Sequence, residues 1–333
     1  MSAPRIVAVV SEELFRSFFS DDDAARLEQA ARALGGPLLR VDRLDDAADL
    51  SEAQILVTSW GVDRLDAERL DRMPKLRLVA HTGATIKFFV TDELFDRAVP
   101  VTQAGAGMAR SVAEVSLAFT LALLHRIPSM HHAVREGGWY DGATAGVQHE
   151  ILGAPVAVIG ASRTGRAYLE MIRALGAKPL LVDPTVDAQA AEELGAEAVS
   201  LDEAMRRALI VAVHAPTLPE THHMIGAREL ALMPDGAGLV NTARSWLVDE
   251  QALLGELRSR RISAAIDVFD EEPLAADSGL RSLPDVLLTP HRAAGTREGW
   301  LSLGRIVIGE IESFLATGAL AHAISREQLS TMA

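Results

Sequence analysis

Three short segments each place a reactive polar side chain just after an apolar run. They are Val240-Asn241-Thr242-Ala243-Arg244, then Ala265-Ile266-Asp267-Val268-Phe269 leading into Asp270-Glu271-Glu272-Pro273, then Leu287-Leu288-Thr289-Pro290-His291 ahead of Ala293-Ala294-Gly295. If the runs are buried strands, these residues stand past their carboxyl ends, where open α/β sheets bind ligands. A guanidinium can grip a carboxylate as a planar fork, and an imidazole exchanges protons near neutral pH. Taken singly, each residue has a plainer reading: Arg244 as a surface arginine, Glu272 as one of several loop acids, His291 as a helix-entry residue.

A fourth segment concerns phosphate. The run Val156-Ala157-Val158-Ile159 enters Gly160-Ala161-Ser162-Arg163-Thr164-Gly165, and a helical pattern follows. This is a dinucleotide-binding turn with Ser162 in place of the second glycine. Gly160 permits the tight turn, Gly165 lets the helix pack close to the sheet, and the N–H groups at the helix start suit a pyrophosphate. Asp183 ends the next apolar run, 18 residues after Gly165, near the ~20 expected of an acid that binds both ribose hydroxyls. A plain strand-to-helix turn and a solvent-exposed acid are the alternatives; the order strand, turn, helix, strand, acid favours the cofactor.

The elements that must position these residues alternate along the chain. Ile6–Val10, Leu38–Val41, Ile55–Thr58, Leu76–Ala80 and Val99–Thr102 read as strands, and Ala24–Leu34 carries helical apolar spacing with Gly35 as its C-cap. Ser111-Val112-Ala113-Glu114 has the form of a capping box opening a helix toward Leu124. A second series reads Val156–Gly160, Pro179–Asp183, Leu209–Val213, Gly238–Asn241, Ala264–Asp267 and Val286–Thr289, before a final helix at about Thr296–Leu315. The alternation predicts α/β architecture: two doubly wound, Rossmann- or flavodoxin-like domains with parallel sheets and the active cleft between them. The expected division is 1–102 plus 291–333 as a discontinuous substrate domain and 103–290 as the cofactor domain.

On these motifs, strongest from Val156 to Gly295, the chain resembles the D-isomer-specific 2-hydroxyacid dehydrogenases. The resemblance implies an Arg244–Glu272–His291 active site. Arg244 would hold a 2-keto acid's carboxylate, His291 would act as the acid/base, and Glu272 would orient its ring and favour the protonated form. It also implies NAD as cofactor, met by Gly160, Ser162, Gly165, the backbone N–H groups of Arg163 and Thr164, Asp183, Ala215, Thr242, Ala243, Asp267 (on the carboxamide) and Ala294. A substrate loop would fall on Thr82, Gly83 and Ala84, within His81-Thr82-Gly83-Ala84-Thr85-Ile86-Lys87. Homodimers are usual for the family, and His125 to Gly153, with Trp139 and Tyr140, is the expected interface arm.

The pattern also departs from the family. Thr85 and Lys87 stand where a glycine and an acid are common; Lys87 reads as a solvated lysine, with a second anionic group on the substrate as the alternative. Ser59-Trp60-Gly61 replaces the basic residues expected of phosphoglycerate-type members. This hints at a non-phosphorylated, apolar substrate side chain, although Trp60 can equally be packing. The pairs His131-His132 and His222-His223 read as surface residues, because neighbours do not project to one face of a helix, and no metal site is expected.

Composition narrows the classes. A chain of 333 residues, 49% hydrophobic and 23% charged, has room for two ordinary globular cores. With no cysteine, thiolate nucleophiles and disulfides are excluded. A net charge of −14, from 46 acidic and 32 basic residues, argues against a nucleic-acid partner. No apolar run is expected to reach the ~18 residues of a membrane span, and the N-terminus lacks a signal-peptide pattern, so the cytoplasm is the expected compartment. The expected activity is NAD-dependent interconversion of a 2-keto acid and a D-2-hydroxy acid. The alternatives are a phosphite-type dehydrogenase on the same scaffold and a non-catalytic NAD(H)-sensing protein like the corepressors that share it; Glu272 speaks against formate, whose enzymes pair the histidine with glutamine.

Overall fold

The computed structural model describes residues 3–139 and 146–331 and divides into two compact units, Met1–Met108 with Gly295–Ala333, and Ala109–Ala294. Tyr140 lies outside the described residues.

The first unit carries β1 (Ile6–Val9), β2 (Leu38–Val41), β3 (Ile55–Thr58), β4 (Leu78–His81) and β5 (Val101–Gln103), all parallel, in the order β2-β1-β3-β4-β5. The strands are continuous apolar runs because both faces are covered. Val7, Val9, Leu56, Val79 and Val101 enter one core, while Ile6, Ala8, Ile55, Val57, Leu78 and Ala80 enter the other. The returning helix Arg297–Thr317 seals the second of these with Leu303, Val307, Ile308 and Ile311. On the same helix, the buried carboxylate of Glu310 accepts the N–H groups of Ala321 and His322, and Ala323 bridges Thr102.

The second unit carries β6 (Pro155–Ile159), β7 (Lys178–Val182), β8 (Glu197–Ala198), β9 (Ile210–Val213), β10 (Gly238–Asn241), β11 (Ser263–Ile266) and β12 (Val286–Leu288). Their order is β12-β11-β10-β9-β6-β7-β8, again parallel, so the winding reverses between β6 and β9. That crevice is where a doubly wound sheet takes a dinucleotide.

Several expectations change. The division falls at Met108/Ala109 and Ala294/Gly295 instead of 102/103 and 290/291. Met108 packs on the first unit's core, and the 291–293 backbone is held by Asp267 of the second, so His291 and Ala294 go with the second unit. Ser111 does not open the helix. The 3-10 turn Gly105–Met108 runs straight into the helix Ala109–Leu124, which leaves Ser111 inside it and Glu114 paired with Arg110. The stretch Gly105–Leu124 is, by length and composition, apolar enough to cross a membrane, contrary to expectation. Its Ala113, Phe119, Leu123 and Leu124 pack with Val156, Val158 and Ala212 of the second unit's sheet.

Candidate active site

The second unit brings Arg244, Glu272 and His291 together from three successive strand ends. His291 Nδ1 donates to Glu272 Oε2 at 2.7 Å, and Glu272 Oε1 accepts the Phe269 N–H at 3.0 Å. The carboxylate therefore fixes the imidazole with its proton on Nδ1, and among the described residues Nε2 has no partner. Burial alone would raise the Glu272 carboxyl. The His291 hydrogen bond, the Phe269 N–H and the charges of His291 and Arg244 outweigh it and hold the group below its ordinary value. Arg244 is shifted down by burial, with the charge of Glu272 opposing.

Two side chains place this set, Asp267 and Asn241. Asp267 is buried, and its carboxylate accepts Thr289 Oγ1, the Arg292 N–H and the Ala293 N–H, while its carbonyl accepts the His291 N–H. His291 is held at φ 52°, a left-handed conformation uncommon outside glycine that such a network must maintain. Asn241 Nδ2 donates to the Arg244 carbonyl at 2.9 Å and Asn241 Oδ1 accepts the Ala243 N–H at 3.1 Å, which fixes the turn carrying Arg244. Sequence reasoning assigned nothing to Asn241 or Thr289, although both stand in the motifs that carry Arg244 and His291.

The other cofactor candidates collect at the β6/β9 crevice. Gly160 has φ +104°, and a Cβ there would lie 2.6 Å from the Ala215 N; one on Gly165 would lie 2.1 Å from the Gly160 carbonyl oxygen. Only glycine fits either place. Ser162 caps the helix Arg163–Ala174, its Oγ accepting the Gly165 N–H at 3.2 Å. The first-turn N–H groups of Arg163 and Thr164 have no partner among the described residues and carry the helix's positive end. Asp183 Oδ2 accepts the Ala161 N–H at 2.6 Å and Oδ1 accepts the N–H and hydroxyl of Thr185. These bonds and Arg166 overcome the raising effect of burial and keep Asp183 ionised. Thr242 Oγ1 is engaged by Ser116 at 2.7 Å. The buried His214 Nδ1 and Nε2 and Thr217 Oγ1, beside Ala215, have no partner among the described residues. Glycine cradle, free N–H groups and anchored acid fit a dinucleotide.

In the first unit, Thr82 is not a free donor: its N–H and hydroxyl both go to the Thr58 carbonyl, at 2.9 and 3.2 Å. The N–H groups of Gly83 and Ala84 have no partner among the described residues.

Residues 117–293 match the family model of the D-isomer specific 2-hydroxyacid dehydrogenase NAD binding domain. The chain belongs to the D-isomer specific 2-hydroxyacid dehydrogenase family. NAD(H) is the cofactor of the domain it carries. A glyoxylate reductase of Aeropyrum pernix is 32% identical over 284 residues, covering 83% of this chain and 84% of that one. A D-3-phosphoglycerate dehydrogenase of Methanocaldococcus jannaschii is 31% identical over 268 residues, covering 80% of this chain and 50% of that one. The chain thus spans about half the length of the phosphoglycerate dehydrogenases it matches. Rhodotorula graminis D-mandelate dehydrogenase shares the fold at TM-score 0.80 and 22% identity, with 97% of this chain and 98% of that one covered.

Within this family frame, the remaining sequence candidates sort plainly. His222 and His223 stack on each other at 4.0 Å, with His222 4.1 Å from the Trp246 ring. Among the described residues no group of three or more His, Asp or Glu has the arrangement of a metal site.

Proposed function

We propose that the protein is an NAD-dependent dehydrogenase that interconverts a 2-keto acid and a D-2-hydroxy acid, with Ala109–Ala294 as its NAD-binding domain and the other unit as its substrate domain. The carrying observation is the Glu272–His291 pair, whose carboxylate leaves Nε2 as the exchangeable site. Arg163 and Thr164 would hold the pyrophosphate and Asp183 the ribose diol, while Ala215, Thr242 and Ala243 would flank the rest of the cofactor. When bound, the nicotinamide supplies the hydride in reduction and takes it up in oxidation.

Arg244 grips the substrate carboxylate with two charge-assisted hydrogen bonds, which polarises and orients the adjoining carbonyl. In reduction, charge develops on the carbonyl oxygen, and His291 Nε2–H transfers its proton there. Glu272 stabilises the imidazolium before the transfer and fixes the tautomer after it. In oxidation, neutral Nε2 accepts the hydroxyl proton. Gly83 and Ala84 act as substrate N–H donors. Asp267 acts here as the residue that positions His291. We further propose a homodimer, supported by the exposed apolar Ile127, Val134, Trp139, Val147 and Leu152 in the expected arm.

NADH consumption over a panel of 2-keto acids tests the reading. Turnover of at least one member is expected. Confirmed NADH binding with no turnover of any would favour the sensor alternative.

A further inference from the structure

The first unit's sheet has its own reversal point, between β1 and β3, and Trp60 stands two residues past the carboxyl end of β3. Its ring is fixed from behind, 5.3 Å edge-on from Phe18 and 6.1 Å from Trp300, which are themselves 5.6 Å apart. Even so, 40% of Trp60 remains exposed. A Cβ on Gly83 would lie 2.5 Å from His81 Nε2 and 2.9 Å from Trp60 Nε1. Both rings therefore reach the loop whose Gly83 and Ala84 N–H groups are free. Phe88, also half-exposed, packs on Phe89 at 5.1 Å and reaches His81 at 6.0 Å.

The rings of these walls are uncharged. His81 is fully buried; Thr58 Oγ1 meets its Nδ1 at 2.9 Å, and Nε2 has no partner among the described residues. Burial pushes its pKa down to about 3, so it is neutral at physiological pH. Ser59 Oγ is buried without a partner as well. The stretch from Gln54 to Asp63 holds no lysine or arginine, and Arg40, which donates to the Val10 carbonyl, is already paired with Glu12 and Asp42. A phosphate or second carboxylate would need a cation here; an alkyl or aryl group would need an apolar wall.

We propose that Trp60 is a specificity-determining residue that selects 2-keto acids with a branched-alkyl or aryl side chain over glyoxylate and over phosphorylated or dicarboxylic ones. This rests on the proposed function, which has the Gly83–Ala84 loop contacting substrate. The indole covers the substituent while its N–H and the loop N–H groups face the polar end. Lys87 makes the phosphorylated acid the rival.

Two measurements on the cofactor-loaded protein test it, turnover with NADH and binding with NAD⁺. The first is kcat/KM for phenylpyruvate, 4-methyl-2-oxopentanoate, glyoxylate, oxaloacetate and 3-phosphohydroxypyruvate. A preference of about 30-fold or more for the first two is expected, the size a well-fitted apolar pocket provides. The phenylpyruvate-to-glyoxylate ratio should fall about tenfold or more in Trp60→Ala and survive in Trp60→Phe, whereas a merely structural tryptophan would lower both substrates together. The second is calorimetric affinity for phenylpyruvate and glyoxylate with NAD⁺ bound, which needs no turnover. Absent turnover with a Trp60-dependent binding preference would sink the dehydrogenase reading and keep this one. Preference for glyoxylate or the phosphorylated acid, or a ratio unmoved in Trp60→Ala, would overturn the proposal.

Discussion

The carboxyl edges of the two sheets are built on the same topological plan and filled with opposite chemistry. In the second unit, the edge carries Asp183, Arg244, Asp267, Glu272 and His291, and nearly every carboxylate oxygen already holds a donor of the chain. In the first unit, the corresponding edge carries the neutral Ser59, Trp60 and His81 with Phe88 beside them, partly without partners among the described residues, and its charges Arg40 and Glu12 neutralise each other. The contrast fits the proposed tasks. Charges that bind a cofactor or move a proton must be held in one geometry, so they are tied down by backbone N–H groups. A surface that recognises a side chain by shape needs rigid area and no charge. The doubly wound scaffold supplies strand ends to both, and the residues after those ends decide which task each performs.

Removing the proposed proton exchanger should cost most. His291→Ala is expected to lower kcat by about 10³–10⁴-fold, the range for loss of general acid–base catalysis, while NADH affinity by fluorescence titration stays within about twofold. Near-normal turnover would mean that the charged edge does no proton chemistry. Arg244→Ala comes next. Loss of two charge-assisted hydrogen bonds should lower kcat/KM by about 10²–10³-fold. Arg244→Lys keeps the charge without the fork and should recover less than a decade of it; full recovery in the lysine variant would show that only charge matters there.

Asp183 sharpens the comparison on the cofactor side. Its carboxylate would stand against a 2′-phosphate, so the wild type should prefer NADH over NADPH by about 100-fold in kcat/KM. Arg166 is the arginine whose charge acts on Asp183, and its Nε is held by the Ala161 carbonyl at 2.9 Å. Asp183→Ala should narrow the preference to within about tenfold by weakening NADH and relieving NADPH. Equal efficiencies in the wild type would refute this role.

The strands were legible because buried parallel strands are largely apolar runs: β3 and β10 have the bounds expected from sequence, as does the half-buried β2. The two-residue β8 was not, because Glu197 and Ala198 are exposed at a sheet edge and carry no apolar pattern. Motifs likewise pointed to Arg244, Glu272 and His291, since residues near strand ends inherit their place from the strand. What spacing could not show is which hydrogen bonds are already taken. Thr82 gives both donors to Thr58 through the β3–β4 pairing, and Asp267 turns toward Thr289 and the 292–293 backbone. Both depend on register and loop geometry, which a local pattern does not contain. Ser111 misled for the converse reason: its capping pattern is genuine, but the preceding turn already supplies helical backbone.

The smallest effect compares one buried histidine from each edge. His81 in the first unit and His214 in the second are 0% and 3% exposed, and burial pushes both from the ordinary 6.5 down to about 3. A depressed histidine pKa means that the unfolded chain binds a proton which the folded chain refuses between about pH 3 and pH 6.5. Stability therefore rises with pH through that window, is fully present above 6.5, and is lost as pH falls toward 3. Each imidazole contributes at most about 1.4 kcal/mol per pH unit. Urea unfolding at pH 7, 6 and 5 reads this largely above the range in which lowered carboxylates such as Glu272 begin to take up protons. His81→Gln and His214→Gln should each flatten the slope between pH 6 and 5, whatever they do to stability at pH 7. His81 has Thr58 as a partner on Nδ1 while His214 has none on either nitrogen, so glutamine should cost less at pH 7 in the second unit. A slope unchanged in either variant would mean that the imidazole is protonated within the fold, and for His81 it would remove the neutral wall beside Trp60.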